Sequence, residues 1–353
     1  MPSAIACLGA VHADLIAHGE RAVLRETSTP GTIRMTPGGV ATNVARALAR
    51  LAVPVRLAGA IGQDADGTAL ARQLAEEGLD VGALARTSLA TGRYLALHDP
   101  DGSLAGAICD TAITESLDED FVAAVAPLLA AAPVWFCETN LPEAALAALA
   151  EAAGERMLVA DAVSRAKAPK LAVLSGRLDL VFLNRAEAAA WTGFAEETPA
   201  VPLALAVAAL GPRRVVLSDG GAPLTLVENG EPFQLEPPAA QVVDVTGAGD
   251  ALIAGTLAGL ARSLSLEDAA IAGLRAARLT LEATGAVAAG LSWPAIAPAG
   301  TGTGTGTGTG AGAGDCAGSG PDTAGHPDEA LDHEPETDSD VFLPAPDTPT
   351  GRD

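Results

Sequence analysis

The chain has 353 residues, 49% of them hydrophobic but only 3% aromatic, so a large core is available and must be built from Ala, Leu and Val. A formal net charge of −23 argues against nucleic acid or an anionic membrane as partner. The four cysteines (Cys7, Cys109, Cys137, Cys316) are scattered without C-x-x-C or metal-ligand spacing, and no segment reads as a signal or a membrane span, which points to a reduced, cytoplasmic protein.

Short apolar runs alternate with Ala-rich helical patterns, the signature of βαβ units and a mostly parallel sheet. Strands are expected at residues 4–10, 55–61, 134–137, 157–161, 180–183 and 215–218. Helices are expected at 42–51, 68–77, 117–131, 143–153, 185–191, 202–210, 248–262 and 266–284. The strands are continuously apolar, as required where both faces of a sheet are covered. Two stretches, 14–35 and 93–109, break the rhythm with strand-like alternation, no intervening helix, and the turn Asp99–Pro100–Asp101–Gly102. They read either as a small inserted β-sheet or as ordinary surface hairpins. From Ala299 Gly alternates with Thr and then Ala, followed by an acidic, Pro-rich stretch that cannot bury enough apolar surface to offset chain entropy. A folded unit over 1–297 and a disordered tail over 298–353 are therefore expected; the tail's eleven acidic residues and one Arg carry −10 of the total charge.

The most informative segment runs from Val242 through Asp244, Thr246, Gly247, Ala248, Gly249 and Asp250 to Gly255. It reads as an apolar strand turning through small residues straight into a helix. Backbone N–H groups at Gly247–Gly249 and the positive end of the helix dipole would form an anion site. Asp250, in the first helical turn, would accept a proton from a hydroxyl. A Gly-rich scaffold turn fits the same letters. Gly312–Ala313–Gly314–Asp315 repeats those letters with no strand before it and no helix after it, so no function is assigned there. Neither Lys follows a Gly, so there is no P-loop.

Gly38 and Gly39 precede a helix that carries Asn43 in its first turn, suited to close approach of a ligand or to a helix cap. Asn184 and Glu187 follow a buried strand three residues apart, suited to holding hydrated Mg²⁺ or, again, to a cap. Of 21 basic residues only Lys167 and Lys170 are Lys. Coding bias explains this, as does a local requirement for a compact ammonium in place of a planar guanidinium.

In their order and over residues 1 to about 296, these sites resemble the PfkB (ribokinase-like) carbohydrate kinase family. Gly38–Gly39 with Asn43 and then Gly59 to Gly67 is similar to the family's first signature, Asp244 to Asp250 to its second, and Asn184 to Glu187 to its N-x-x-E motif. The resemblance implies a doubly wound α/β core with a small β-sheet lid, its strands within about 12–36 and 90–112. It implies ATP and Mg²⁺, and in many members a monovalent cation such as K⁺. By position, Asp14, Gly38, Gly39, Asn43, Tyr94 and Glu138 would contact the acceptor. Asp250 would be the base and Gly247, Ala248 and Gly249 the anion hole. Asn184, Lys167, Ser218, Gly220 and Thr246 would lie near the nucleotide. Glu187 and Asn184 would hold Mg²⁺ through water, and Asp244 a monovalent cation. The stretches Gly31–Val40, Tyr94–Leu97 and Asp161–Ser164 with Lys167 resemble members that phosphorylate a ribosyl compound, pseudouridine first. Ribose, fructose, 2-keto-3-deoxygluconate and other nucleosides are alternative acceptors, and a non-catalytic sugar- or nucleoside-binding regulator is the rival of another class. Two positions depart from the family pattern: His12 replaces the usual Asn before the lid Asp, and Cys109–Asp110 replaces an Asn–Asp pair. The resemblance also implies a homodimer formed through the lid.

Overall fold

The structure, a computed structural model, describes residues 1–298. In chain order the first half runs β1 (Ile5–Leu8), β2 (His12–Gly19), β3 (Gly31–Gly38), α1 (Val40–Arg50), β4 (Val55–Gly62), α2 (Ala65–Glu76), β5 (Asp80–Thr87), β6 (Gly92–His98), β7 (Leu104–Asp110), α3 (Ala112–Glu115) and α4 (Glu119–Leu129). The second half runs β8 (Val134–Glu138), α5 (Glu143–Ala152), β9 (Met157–Asp161), a 3₁₀ helix (Ala168–Leu174), β10 (Leu180–Asn184), α6 (Arg185–Thr192), α7 (Ala200–Ala209), β11 (Arg214–Ser218), β12 (Leu224–Glu228), β13 (Glu231–Leu235), α8 (Ala248–Leu260), α9 (Leu266–Leu281) and α10 (Trp293–Ile296). No helix of the described residues is long and apolar enough to cross a membrane.

One sheet has nine strands in the order β13-β12-β11-β10-β9-β8-β1-β4-β5, parallel except for the antiparallel pairings at β12 and β13. Strand β1 sits at the point where the winding reverses, with β8 on one side and β4 on the other. All four of its residues are buried and alternate between two cores. Ile5 and Cys7 belong to the core that holds Val44, Leu48 and Leu252 on one face; Ala6 and Leu8 belong to the core that holds Trp135, Leu146 and Leu203 on the other. In open α/β sheets a ligand crevice forms at the carboxyl ends of the strands beside such a reversal. The second sheet, β3-β2-β6-β7, is antiparallel except for the parallel β2–β6 pair. It realises the inserted-sheet reading of the two stretches that lacked helices.

The expected strands and helices are present, with ends shifted by a few residues where caps decide. Asp64 accepts from the Gly67 N–H at 2.8 Å and starts α2 ahead of the predicted residue 68. Asp118 caps α4, and a separate turn, α3, precedes it. Strands β5, β12 and β13, the 3₁₀ helix and α10 had no clear sequence signal. One expectation is corrected: the run before Gly247 is not a strand. Val242 and Val243 are 62% exposed and Val245 71%. With no partner strand, the N–H groups of Val243 and Asp244 go to the Leu281 carbonyl at the end of α9. β-branched composition favours a strand only where a ladder is available. The expected tail and the control segment at 312–315 lie outside the described residues, save Pro298.

Helix α8, which carries Asp250, is held against α9 by small residues. A Cβ on Gly255 would lie 2.7 Å from the Gly273 Cα, and one on Gly273 would lie 2.6 Å from the Leu252 carbonyl oxygen. The backbones therefore touch, and moving the Thr256 side chain would not relieve the contact with the Leu252 carbonyl. Gly273→Val is expected to lower stability by about 1–3 kcal/mol, read as a lower denaturant midpoint with unchanged m-value.

Candidate active site

Helix α8 begins at Gly247, in the left-handed conformation (φ 75°), and its first turn brings Gly249 and Asp250 to the end of the large sheet. The Ala248 N–H is consumed within the turn by the Val245 carbonyl at 3.3 Å. The N–H groups of Gly247, Gly249 and Asp250 have no acceptor among the described residues. Unpaired donors at the start of a 13-residue helix offer a positive terminus to an anion.

Asn43, in the first turn of α1, donates from Nδ2 to Asp250 Oδ2 at 2.9 Å. Asn43 is buried, and its Oδ1 has no partner in spite of being enclosed. Desolvation pushes the Asp250 carboxyl up to about 7; the Asn43 hydrogen bond opposes the rise, and the negative charges of Glu138 and Asp14 add to it. Neighbouring Thr42 fixes α1 in place by donating to the Ala10 carbonyl at 2.8 Å, just past β1.

Asp161, Asn184 and Ser218 end three adjacent parallel strands, β9, β10 and β11. With Glu187, Gly249 and Asp250 they line a cavity of about 200 Å³. Asn184 and Glu187 form a capping box for α6: the Glu187 N–H donates to Asn184 Oδ1 at 3.0 Å, and the Asn184 N–H donates to Glu187 Oε2 at 2.8 Å. The capping alternative is thus real, but the Glu is not a surface residue, since Glu187 is 6% exposed. Burial raises the Glu187 carboxyl, against the two Asn184 hydrogen bonds. Burial raises Asp161 well above the usual carboxylate range, and the charges of Glu187 and Asp250 add to it. Like charges crowded at low dielectric favour proton retention or a cation.

On the other side of Asp250 lies the small sheet. The register sets Asp14 beside Thr36 and Tyr94, and Tyr94 beside Cys109, all on one face. The Asp14 carboxylate lies so close over Gly38 that a Cβ there would overlap it. Desolvation pushes Asp14 up to about 7, opposed by the Arg46 charge. Glu138, at the end of β8, is fully buried and accepts from the Ala10 and Asn140 N–H groups, each at 2.6 Å. Burial raises it, and those N–H groups and the Lys167 charge lower it.

The structure thus gathers Asn184, Glu187, Ser218, Gly249 and Asp250 around one cavity and joins Asn43 to Asp250, with Gly38, Asp14 and Tyr94 on the lid side. Gly39 is the N-cap of α1. Gly220 and Thr246 do not line the cavity. Asp244 anchors a loop: its two oxygens accept from Thr246 and Gly285 N–H groups, each at 2.9 Å, which hold its carboxyl low in spite of partial burial. Lys167 lies off the cavity and donates to Asn140 Oδ1. Asp161 had no assigned role in the sequence, yet its signal was available: an acid at the carboxyl end of a predicted parallel strand. His12 is buried and bonded through Nε2 to Thr114 Oγ1 at 3.2 Å; burial, then the Lys167 charge, pushes it down to about 4, so the ring is neutral.

Residues 3–293 match the pfkB family of carbohydrate kinases. Pseudouridine kinase of Escherichia coli (strain K12) is 30% identical over 255 residues, covering 71% of this chain and 82% of the relative. A carbohydrate kinase from Agrobacterium tumefaciens superposes with a TM-score of 0.74 at 31% identity, covering 83% of this chain and 95% of that one. Arabidopsis thaliana ribokinase, solved with ribose and ATP, shares the fold with a TM-score of 0.71 at 24% identity, covering 84% and 96% of the two chains.

The Asp250 shift makes a prediction about stability. An unfolded Asp loses its proton near pH 3.9, whereas folded Asp250 holds it to about 7. Between those values the unfolded state has ionised and the folded state has not, so rising pH weakens the fold until both are ionised. Asp250→Asn is therefore expected to be more stable than the wild type by about 1–3 kcal/mol at pH 8 and equal to it at pH 4, measured by urea titration at both pH values.

Proposed function

Because the chain belongs to the pfkB family of carbohydrate kinases, we propose that it moves the γ-phosphoryl group of ATP to a primary hydroxyl of a ribosyl compound, in the first place the 5′-hydroxyl of pseudouridine. The observation that carries the mechanism is the meeting of Asp250, oriented by Asn43, with unpaired N–H donors at the start of α8.

Asp250 accepts the proton of the acceptor hydroxyl as that oxygen attacks phosphorus. The turn Gly247–Ala248–Gly249 stabilises the charge on the transferring group, through the N–H groups of Gly247, Gly249 and Asp250 rather than that of Ala248. Phosphoryl transfer asks little covalent chemistry of a protein beyond positioning and charge stabilisation. Asp14, Gly38, Gly39, Asn43 and Tyr94 hold the acceptor sugar, and the orphaned Oδ1 of Asn43 is available to one of its hydroxyls. Glu138 fixes the floor of that side through Ala10 and Asn140. Asn184 and Ser218, which line the cavity, flank the nucleotide. The hard oxygens of Glu187, raised by burial, and of Asp161, raised by burial and by the charge of Glu187, together with the amide of Asn184 fit a hydrated Mg²⁺. Such an ion would neutralise charge on the nucleotide phosphates. Asp244, held ionised by two N–H groups, is the charge a monovalent cation such as K⁺ would meet.

A homodimer through the lid is supported by the sheet's outer face. Leu15, Ala17, Ile33, Met35, Leu95, Leu97 and Ile108 share it by register, with Ile33 70% and Ile108 69% exposed. An uncovered apolar sheet face marks an interaction surface. The double change Ile33→Asp with Ile108→Asp is expected to turn a dimer into a monomer in sedimentation velocity, and a species unchanged in mass would remove the proposal.

Turnover is tested by ADP release with pseudouridine, uridine, adenosine, ribose and 2-keto-3-deoxygluconate. Asp250→Asn is expected to keep acceptor and ATP binding while kcat falls by about 10²–10⁴-fold. For the wild type, kcat/KM is expected to climb with pH and level off above about 7, the value to which Asp250 is raised. Near-normal turnover by Asp250→Asn would exclude the general-base role.

A further inference from the structure

Nineteen of the 21 basic residues are Arg, and the two Lys converge on one short loop. Lys170 Nζ donates to the Thr139 and Leu141 carbonyls at 3.1 and 3.2 Å, one on each side of Asn140. Lys167 Nζ donates to the Asn140 side-chain oxygen itself. Asn140 is 9% exposed, and its N–H donates to the buried Glu138 carboxylate. The loop is thus clamped from three directions, and the Lys167 ammonium is set at a fixed place. A planar guanidinium does not fit between two carbonyls two residues apart as a compact ammonium does.

Lys167 has three N–H donors, of which Asn140 takes one; the others have no acceptor among the described residues. The ammonium stands apart from the cavity lined by Asn184, Glu187 and Ser218. Its charge acts instead on His12 of β2, on Cys109 of β7 and on Glu138. His12 and Cys109 are the two positions where the chain departs from the family pattern, and Cys109 adjoins Tyr94, the neighbour of Asp14.

We propose that Lys167, held in place by Asn140, is a specificity-determining residue that donates a hydrogen bond to a neutral carbonyl oxygen on the heterocyclic base of a riboside. The inference rests on the riboside reading above and deepens it. A bare pentose has no such oxygen. A carboxylate acceptor presents one, but it would enter among Asp14, Asp110, Glu115 and Glu138, with Lys167, Arg46 and Arg93 as the opposing cations, and the surplus of acids disfavours it. A carbonyl satisfies the donor without adding charge.

The test is steady-state kinetics on the full-length protein, with pseudouridine, ribose and 2-keto-3-deoxygluconate as acceptors, for wild type, Lys167→Met and Asn140→Ala. Removing a charge-assisted hydrogen bond lowers kcat/KM for pseudouridine by about 10–100-fold. The value for ribose and the KM for ATP stay within about twofold of wild type. Asn140→Ala, which releases the ammonium, shifts the same ratio in the same direction. Equal losses for pseudouridine and ribose with a raised KM for ATP would put Lys167 on the nucleotide phosphates and overturn the proposal. A Lys167-dependent rate confined to 2-keto-3-deoxygluconate would overturn it in favour of a carboxylate. Absence of ADP release with every acceptor defeats the kinase reading instead. The comparison is then made by calorimetric titration of pseudouridine: a loss of about 10–100-fold in affinity in Lys167→Met supports the assignment, and an unchanged Kd removes it.

Discussion

The hydrogen bond from Asn43 to Asp250 spans 207 residues of sequence and ties the first helix of the core to the eighth. Everything about the site depends on it. A carboxylate in a desolvated position resists ionisation and, left free, has several rotamers. The Asn43 amide fixes one of them and supplies the single neutral donor that opposes the rise in its pKa. Asn43 is in turn set by Thr42, whose hydroxyl grips the Ala10 carbonyl at the end of the central strand. The Asp250 carboxyl is thus referenced to the most deeply buried part of the sheet.

A second theme is the crowding of acids. Asp14, Glu138, Asp161, Glu187 and Asp250 all have carboxyls raised by burial, and the charges of their acidic neighbours raise Asp161 and Asp250 further. Such an arrangement is costly for the fold and useful for chemistry. It yields a carboxyl raised to about 7, as the proposed base requires, and it creates a demand for positive charge that a Mg-bound nucleotide would meet. The capping box at Asn184 and Glu187 shows that cap and cavity lining are compatible readings of one motif: the same two residues start the helix and line the cavity.

How much of this was legible beforehand differs by element. Strands buried on both faces, such as Met157–Asp161, were readable to the residue, since continuous apolar runs have few other homes. Edge elements were not. Asp80–Thr87 mixes polar and small residues because one side of it faces solvent, and Glu231–Leu235 contains a Pro tolerated only at an edge. Val242–Val245 misled in the opposite direction, having strand composition without a neighbour to pair with. Gly247 to Asp250 stood out because turn, donors and acid lie within four residues. Asp161 and the Asn140–Lys167 pair did not, since their meaning depends on residues far away in the chain.

The order of residues by itself determined the layered α/β class and a glycine-rich helix start with an acid in its first turn, and left the two helix-free stretches open between a second sheet and surface hairpins. Those features follow from local periodicity and backbone sterics, which are short-range. Only the tertiary structure decided that Asn43 holds Asp250, that Glu187 is buried instead of exposed, and that the two lysines of the chain meet at Asn140. Each of these is a contact between segments dozens to hundreds of residues apart, and a side chain's charge state and partners depend on what surrounds it in space.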